Sequence, residues 1–176
     1  RIHALFTKKA GAGILGYFSS RDEDHPQVSP HSNAMELFIL DSTMLAGNPD
    51  QITNTLSHEF QHMIHYAHDA NEGSNIDEGF SGLAEYLIHN RLSEAYERSF
   101  LENPDISLTL WPVSGSSIPY YGASFLFSKY LADRLGQDFL NKVVEQPRNG
   151  FEGIDDALKK VKSTFTADQL FAEWTA

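Results

Sequence analysis

The segment that most constrains this chain is 50–68. There Ile52, Leu56, Phe60, Met63 and Ile64 recur at helical spacing while His58, Glu59 and His62 interrupt the apolar run. Four residues along an α-helix turn the chain through about 400°, so His58 and His62 project from one face about 6 Å apart along the axis. Both imidazoles can then reach a single cation. Glu59 is rotated about 100° from His58, close enough to touch a water on that ion without being a ligand.

The rest of the composition narrows which ion and which chemistry are open. The 176 residues contain no cysteine, which excludes disulfide frameworks, thiolate metal sites and cysteine nucleophiles, and leaves His, Asp and Glu as ligands. A net charge of -11, with thirteen Lys and Arg scattered along the chain, speaks against a nucleic-acid partner. No apolar stretch approaches the roughly 20 residues needed to cross a bilayer, and no signal sequence opens the chain, so no membrane partner is expected. The first residue is Arg1, and Asp168-Gln169-Leu170-Phe171-Ala172-Glu173-Trp174 reads as a helix cut short. The expectation is a single catalytic domain over 1–176, excised from a longer precursor and secreted.

The order of elements predicts an α+β class, mainly β over 1–49 and mainly α over 50–176. Ile2 to Phe6 and Ile14 to Phe18 read as strands joined by a turn at 8–13, and Met35 to Leu40 reads as a third strand, which Glu36 marks as an edge. Residues 21–34 read as a loop. Asp22-Glu23-Asp24 within it is a solvated acidic run rather than a calcium site. After the loop at 71–75, Phe80, Leu83, Ala84, Leu87 and Ile88 follow the i, i+3, i+4, i+7, i+8 pattern of a second amphipathic helix. Pro104, Pro112 and Pro119 break the next stretch, and further helices are expected over about 121–135, 137–145, 153–161 and 166–176.

A catalytic zinc needs a third protein ligand and an open fourth position. His68, ten residues after His58, sits where three-histidine peptidases place that ligand, but His65 stands at their required glycine and all three methionines lie upstream of any methionine turn. Glu78 is the second candidate, with Gly82, Glu85 and His89 on the same stripe of the following helix. On the first helix His58, His62, His65 and Asp69 form a matching stripe. In that pairing Glu78 supplies an anionic oxygen and Glu85 holds a ligand imidazole from behind. Glu85 as the ligand is the third candidate, and Glu72, in the loop, a weaker one. His3, His25, His31 and His89 have no spacing partner.

His58-Glu59-Phe60-Gln61-His62-Met63-Ile64-His65, then Asp77-Glu78-Gly79-Phe80-Ser81-Gly82-Leu83-Ala84-Glu85-Tyr86, then Tyr120-Tyr121-Gly122-Ala123-Ser124-Phe125-Leu126-Phe127 together resemble the hyicolysin family of bacterial metallopeptidases, of the gluzincin group. The likeness extends to Gly16-Tyr17-Phe18 and to Ser32-Asn33-Ala34-Met35-Glu36-Leu37-Phe38, so it covers nearly the whole chain. Asp77 departs from the Asn usual before the ligand Glu, and the gap from His62 to Glu78 is short for the group. The resemblance implies a zincin-like domain with an active-site helix and a glutamate helix, Zn2+ on His58, His62 and Glu78, and Glu59 as general base. It also implies a tyrosine that donates to the oxyanion at Tyr121, with Tyr120 the alternative, and an edge strand around Met35-Glu36-Leu37 that aligns a peptide.

The activity so implied is hydrolysis of peptide or protein substrates by metal-activated water, as an endopeptidase. Two alternatives stand beside it: an aminopeptidase in which Glu36 grips the substrate's free amino group, and a non-catalytic zinc-binding module with a closed fourth position.

Overall fold

The structure is a computed structural model that describes residues 1–11, 13–90 and 94–176. Contacts along the chain divide it into two units, Arg1–Met63 and Ile64–Ala176, and the division falls inside one helix.

The first unit holds a three-stranded sheet. Strands β1 (His3–Thr7), β2 (Gly16–Phe18) and β3 (Leu37–Asp41) lie in the order β1-β3-β2, with β1 parallel and β2 antiparallel to β3. This corrects two expectations. β1 and β2 do not pair with each other as a hairpin, and the strand expected at 35–40 is central, not an edge. The reason is in its side chains: Leu37, Phe38 and Leu40 are all buried, an almost continuous apolar run that suits a strand covered on both faces. Glu36 lies just outside β3 and is exposed. Ala12, within the expected turn, lies outside the described residues.

Between β2 and β3 the chain makes a short 3-10 turn at Ser20–Asp22 and a loop. Asp22 is buried and organises that loop, accepting from the Asn33 backbone at 3.0 Å and the Asn33 side-chain amide at 2.7 Å. It is thus more than the solvated run expected, and no three-ligand cluster among the described residues includes it. A single turn, α1 (Met44–Gly47), leads into α2 (Pro49–His68), whose Pro49 occupies the first helical position, where a missing N–H costs nothing.

Gly16 sets how α2 meets the sheet. A Cβ at Gly16 would fall 2.8 Å from Thr55 Cγ2 and 3.0 Å from the Ile39 carbonyl oxygen, so only glycine lets helix and strand approach this closely. The apolar stripe expected on α2 is only partly inside: Met63 is buried, whereas Phe60 and Ile64 are exposed. Phe60 instead meets Phe38 edge-on with ring centroids 6.2 Å apart. The buried side of α2 carries Glu59 and His65, polar groups held inside by partners described below.

In the second unit α3 (Ser74–His89), α4 (Glu94–Glu102), α5 (Ile118–Leu135), α6 (Gln137–Val144), α7 (Gly150–Lys160) and α8 (Ala167–Trp174) surround one apolar core. Phe125, Phe127, Leu131, Phe139, Ile154, Leu158 and Leu170 are fully buried there. The helix expected at 121–135 begins three residues earlier, with Pro119 in its first turn. α4 was not apparent in the sequence, because it is one short helix in which Glu94, Glu97, Arg98 and Glu102 interleave with Ala95, Tyr96, Phe100 and Leu101.

Two close approaches define this unit. A Cβ at Gly79 of α3 would meet the Ser124 carbonyl oxygen of α5 at 2.6 Å, and one at Gly122 of α5 would meet the Tyr96 carbonyl oxygen of α4 at 2.2 Å. Glycine at both positions lets three helix backbones pack without intervening side chains. α8 begins with a capping box, in which Thr166 and Gln169 satisfy each other's backbone amides.

Candidate metal centre

The centre is carried by two consecutive helices. On α2 the rings of His58 and His62 lie edge to face with centroids 4.8 Å apart, as the four-residue spacing requires. Glu78 is in the first turns of α3. One ligand atom from each of His58, His62 and Glu78 falls within 4.8 Å of the others, the one such cluster of His and carboxylate groups found among the described residues. All three are partly exposed, so a cation and a water could both gain access. Two imidazoles and one carboxylate, with no thiolate, match the donors of a three-ligand catalytic zinc site and are too nitrogen-rich for calcium or magnesium.

Glu59 is buried and held from the sheet side. The Phe18 backbone N–H, at the end of β2, donates to Glu59 Oε2 at 2.9 Å. That contact depends on the close packing at Gly16, two residues away. It fixes one carboxylate oxygen by a charge-assisted bond. The Phe18 amide was not identified as a site group from the sequence, although Gly16-Tyr17-Phe18 was part of the family likeness.

Behind the centre, α2 ends in a buried polar knot. His65 is fully buried against the Phe80 ring, with Nδ1 3.5 Å from Asp77 Oδ1 and Nε2 3.9 Å from Glu72 Oε2. Glu72 Oε1 accepts from the Gly73 N–H and from the Gly150 N–H at 2.7 Å, and the Asn149 side chain donates to the Asn71 carbonyl. The loop 69–73 is thereby pinned to the start of α7. Burial pushes the Glu72 carboxyl up, the Gly150 and Gly73 amides pull it partly back, and Asp69 and Asp77 add to the rise. This knot fixes the loop from which α3 starts.

The other candidate ligands are placed elsewhere. His68 ends α2 in solvent, Glu72 is committed to the knot, and neither joins a three-ligand cluster among the described residues. Glu85 is buried two turns beyond Glu78 and lies near the Tyr96 phenol, which burial, then Glu85, then Glu78 push up. Of the two tyrosines at the start of α5, Tyr121 is the one that reaches the centre, its hydroxyl donating to Glu78 Oε1 at 3.5 Å, the long limit of such a bond. Tyr120 rests on Trp111, with centroids 6.0 Å apart. Tyr96 and Trp111 both contact the Tyr121 ring and were not singled out from the sequence.

No family model matches the chain. It is similar to the neutral metalloprotease ShpI of Staphylococcus hyicus, with 28% identity over an alignment of 170 residues covering 85% of this chain. The chain spans 38% of that relative's length. No helix among the described residues is long and apolar enough to cross a membrane. The likeness is thus to a metalloprotease, and the His58, His62 and Glu78 cluster is one that could hold a metal ion.

Proposed function

We propose that this chain is the catalytic domain of a zinc endopeptidase of the gluzincin kind, acting outside the cell on extended protein segments. The observation that carries the reading is the convergence of His58, His62 and Glu78, with Glu59, on the helix of the two histidines, held by the Phe18 amide of β2. A bound zinc would supply Lewis acidity and lower the pKa of a water molecule towards about 7. Glu59 would accept a proton from the attacking water and return it to the leaving amine. The Tyr121 hydroxyl donates to the carbonyl oxygen as negative charge develops there, a contact most useful in the transition state.

The edge strand β2 is the natural rail for the substrate. It is antiparallel to β3, and its last residue is the one that holds Glu59, so a peptide added along β2 passes the general base. This moves the aligning role from 35–37, which runs into the central strand β3, to 16–18. Glu36 is exposed and precedes β3, its carbonyl accepting from the His3 N–H at 2.9 Å and its carboxylate lying 3.4 Å from the Arg1 amino group.

The test is hydrolysis of casein and of an N-terminally blocked fluorogenic peptide. Activity on both, lost with a chelator and restored by about one equivalent of Zn2+, is expected. Cleavage only of peptides with a free amino terminus would favour the exopeptidase. Tight zinc binding without cleavage of any substrate would favour the non-catalytic module.

A further inference from the structure

Two further aromatic rings pack on the Tyr121 ring whose hydroxyl meets Glu78, and the peptidase reading uses neither of them. The Tyr96 ring, on α4, stacks on the Tyr121 ring with centroids 5.3 Å apart and 20° between planes. Trp111, from the connection between α4 and α5, meets the same Tyr121 ring edge-on at 5.1 Å and 86°. One contact covers the face of the phenol, and the other is perpendicular to it. Together they restrict the torsions that would swing the hydroxyl away from Glu78.

The backbone is arranged to permit this. Gly122 follows Tyr121 directly, and a Cβ there would fall 2.2 Å from the Tyr96 carbonyl oxygen and 3.0 Å from Phe100 Cβ. Only a residue without a side chain brings α4 near enough to α5 for the stack to form. Burial and the nearby Glu85 and Glu78 carboxylates push the Tyr96 phenol up, so Tyr96 stays protonated and neutral at working pH. It is therefore suited to packing and not to serving as a base.

We propose that Tyr96 and Trp111 are positioning residues, an aromatic clamp that aims the Tyr121 hydroxyl at the metal centre; this rests on the peptidase reading of that centre. A hydrogen-bond donor to a developing oxyanion works only if it is already in place, and a displacement of about 1 Å is enough to cost orders of magnitude in rate. A clamp acting only through Tyr121 has a signature that general stabilisation lacks: its value disappears when the Tyr121 hydroxyl is removed.

The experiment measures kcat and KM for peptide hydrolysis by the zinc-loaded protein carrying Tyr96→Leu, Tyr96→Phe, Trp111→Leu or Tyr121→Phe, and the Tyr96→Leu, Tyr121→Phe double variant. Tyr96→Leu and Trp111→Leu should each lower kcat about tenfold with KM and zinc content little changed, and Tyr96→Phe, which keeps the stacked face, should retain most of the activity. In the Tyr121→Phe background the Tyr96→Leu change should cost less than about twofold. A full tenfold loss there overturns the clamp. The metal-free protein gives a second reading: Trp111 and Trp174 are the two tryptophans, so Trp174→Phe leaves Trp111 as the reporter. Acrylamide quenching of Trp111 should rise on adding Tyr96→Leu, and unchanged quenching overturns the proposal even if a variant loses activity by misfolding. Failure of the peptidase reading would look different, because the parent protein would then show no chelator-sensitive cleavage while the quenching result still stood.

Discussion

Gly79→Ala puts the packing of the glutamate helix to a quantitative test. The added methyl would fall 2.4 Å from Ser128 Oγ and 2.6 Å from the Ser124 carbonyl oxygen. The serine hydroxyl can rotate away; the carbonyl belongs to the backbone of α5 and cannot. Against an ordinary contact of 3.4 Å the shortfall is about 0.8 Å, which α3 can recover only by moving off α5. Overpacking of this kind costs about 1–3 kcal/mol. Alanine's better helix propensity returns at most about 1 kcal/mol, so the steric term wins and a net loss of about 1–2 kcal/mol is expected. Because Glu78 is the preceding residue, the shift should also displace its carboxylate and weaken zinc affinity by about tenfold. Urea unfolding of the metal-free protein and zinc titration of the folded protein measure the two effects. Gly47→Ala, where a Cβ meets nothing within 4 Å, is the control and should be neutral or stabilising. A Gly79→Ala protein as stable as its parent would refute the close-packing argument.

Glu78→Ala should abolish stoichiometric zinc binding, whereas Glu85→Gln should leave about one zinc per chain; metal analysis after dialysis distinguishes them, and the reverse pattern would make Glu85 the ligand. The raised carboxyl of Glu72 means that the unfolded chain ionises it at lower pH than the folded one does. Its contribution to stability is therefore full below the ordinary value of 4.5 and is lost as pH rises through the higher folded value. Glu72→Gln keeps an acceptor oxygen for the Gly73 and Gly150 amides and should flatten the stability curve above pH 4.5; an unchanged slope there counts against the buried carboxylate. Phe127→Ala should lower stability by about 3–5 kcal/mol in urea unfolding, since this fully buried ring contacts Phe151, Phe171 and Trp174; a loss under about 1 kcal/mol would show that the core can close around the gap.

The parts of the fold and site that were legible in the sequence are those governed by local periodicity. His58, Glu59 and His62 could be placed because four residues on a helix have a fixed geometry, and α5 to α8 were readable from their breakers and apolar spacing. The sheet order was not, because short apolar strands pair through contacts distant in sequence, and the run 37–40 reads alike at an edge or in the centre. Register between α2 and α3 was hidden for a related reason. It depends on the loop 69–73, which is held by Gly150 and Asn149 nearly eighty residues later in the chain. Tyr96 escaped notice because α4 is short and its apolar residues are interleaved with charged ones. Trp111 lies between prolines, where no periodic element makes its neighbours predictable.

The central claim is that Glu59 moves the proton while His58, His62 and Glu78 hold the metal, and Glu59→Gln separates these tasks. The amide is nearly isosteric and keeps an acceptor for the Phe18 N–H, but it cannot take a proton from water. Zinc content by metal analysis, measured alongside hydrolysis of the blocked peptide, should show about one zinc per chain with kcat reduced by at least about 10²-fold. A Glu59→Gln protein that binds zinc and cleaves at the parent rate would contradict the account.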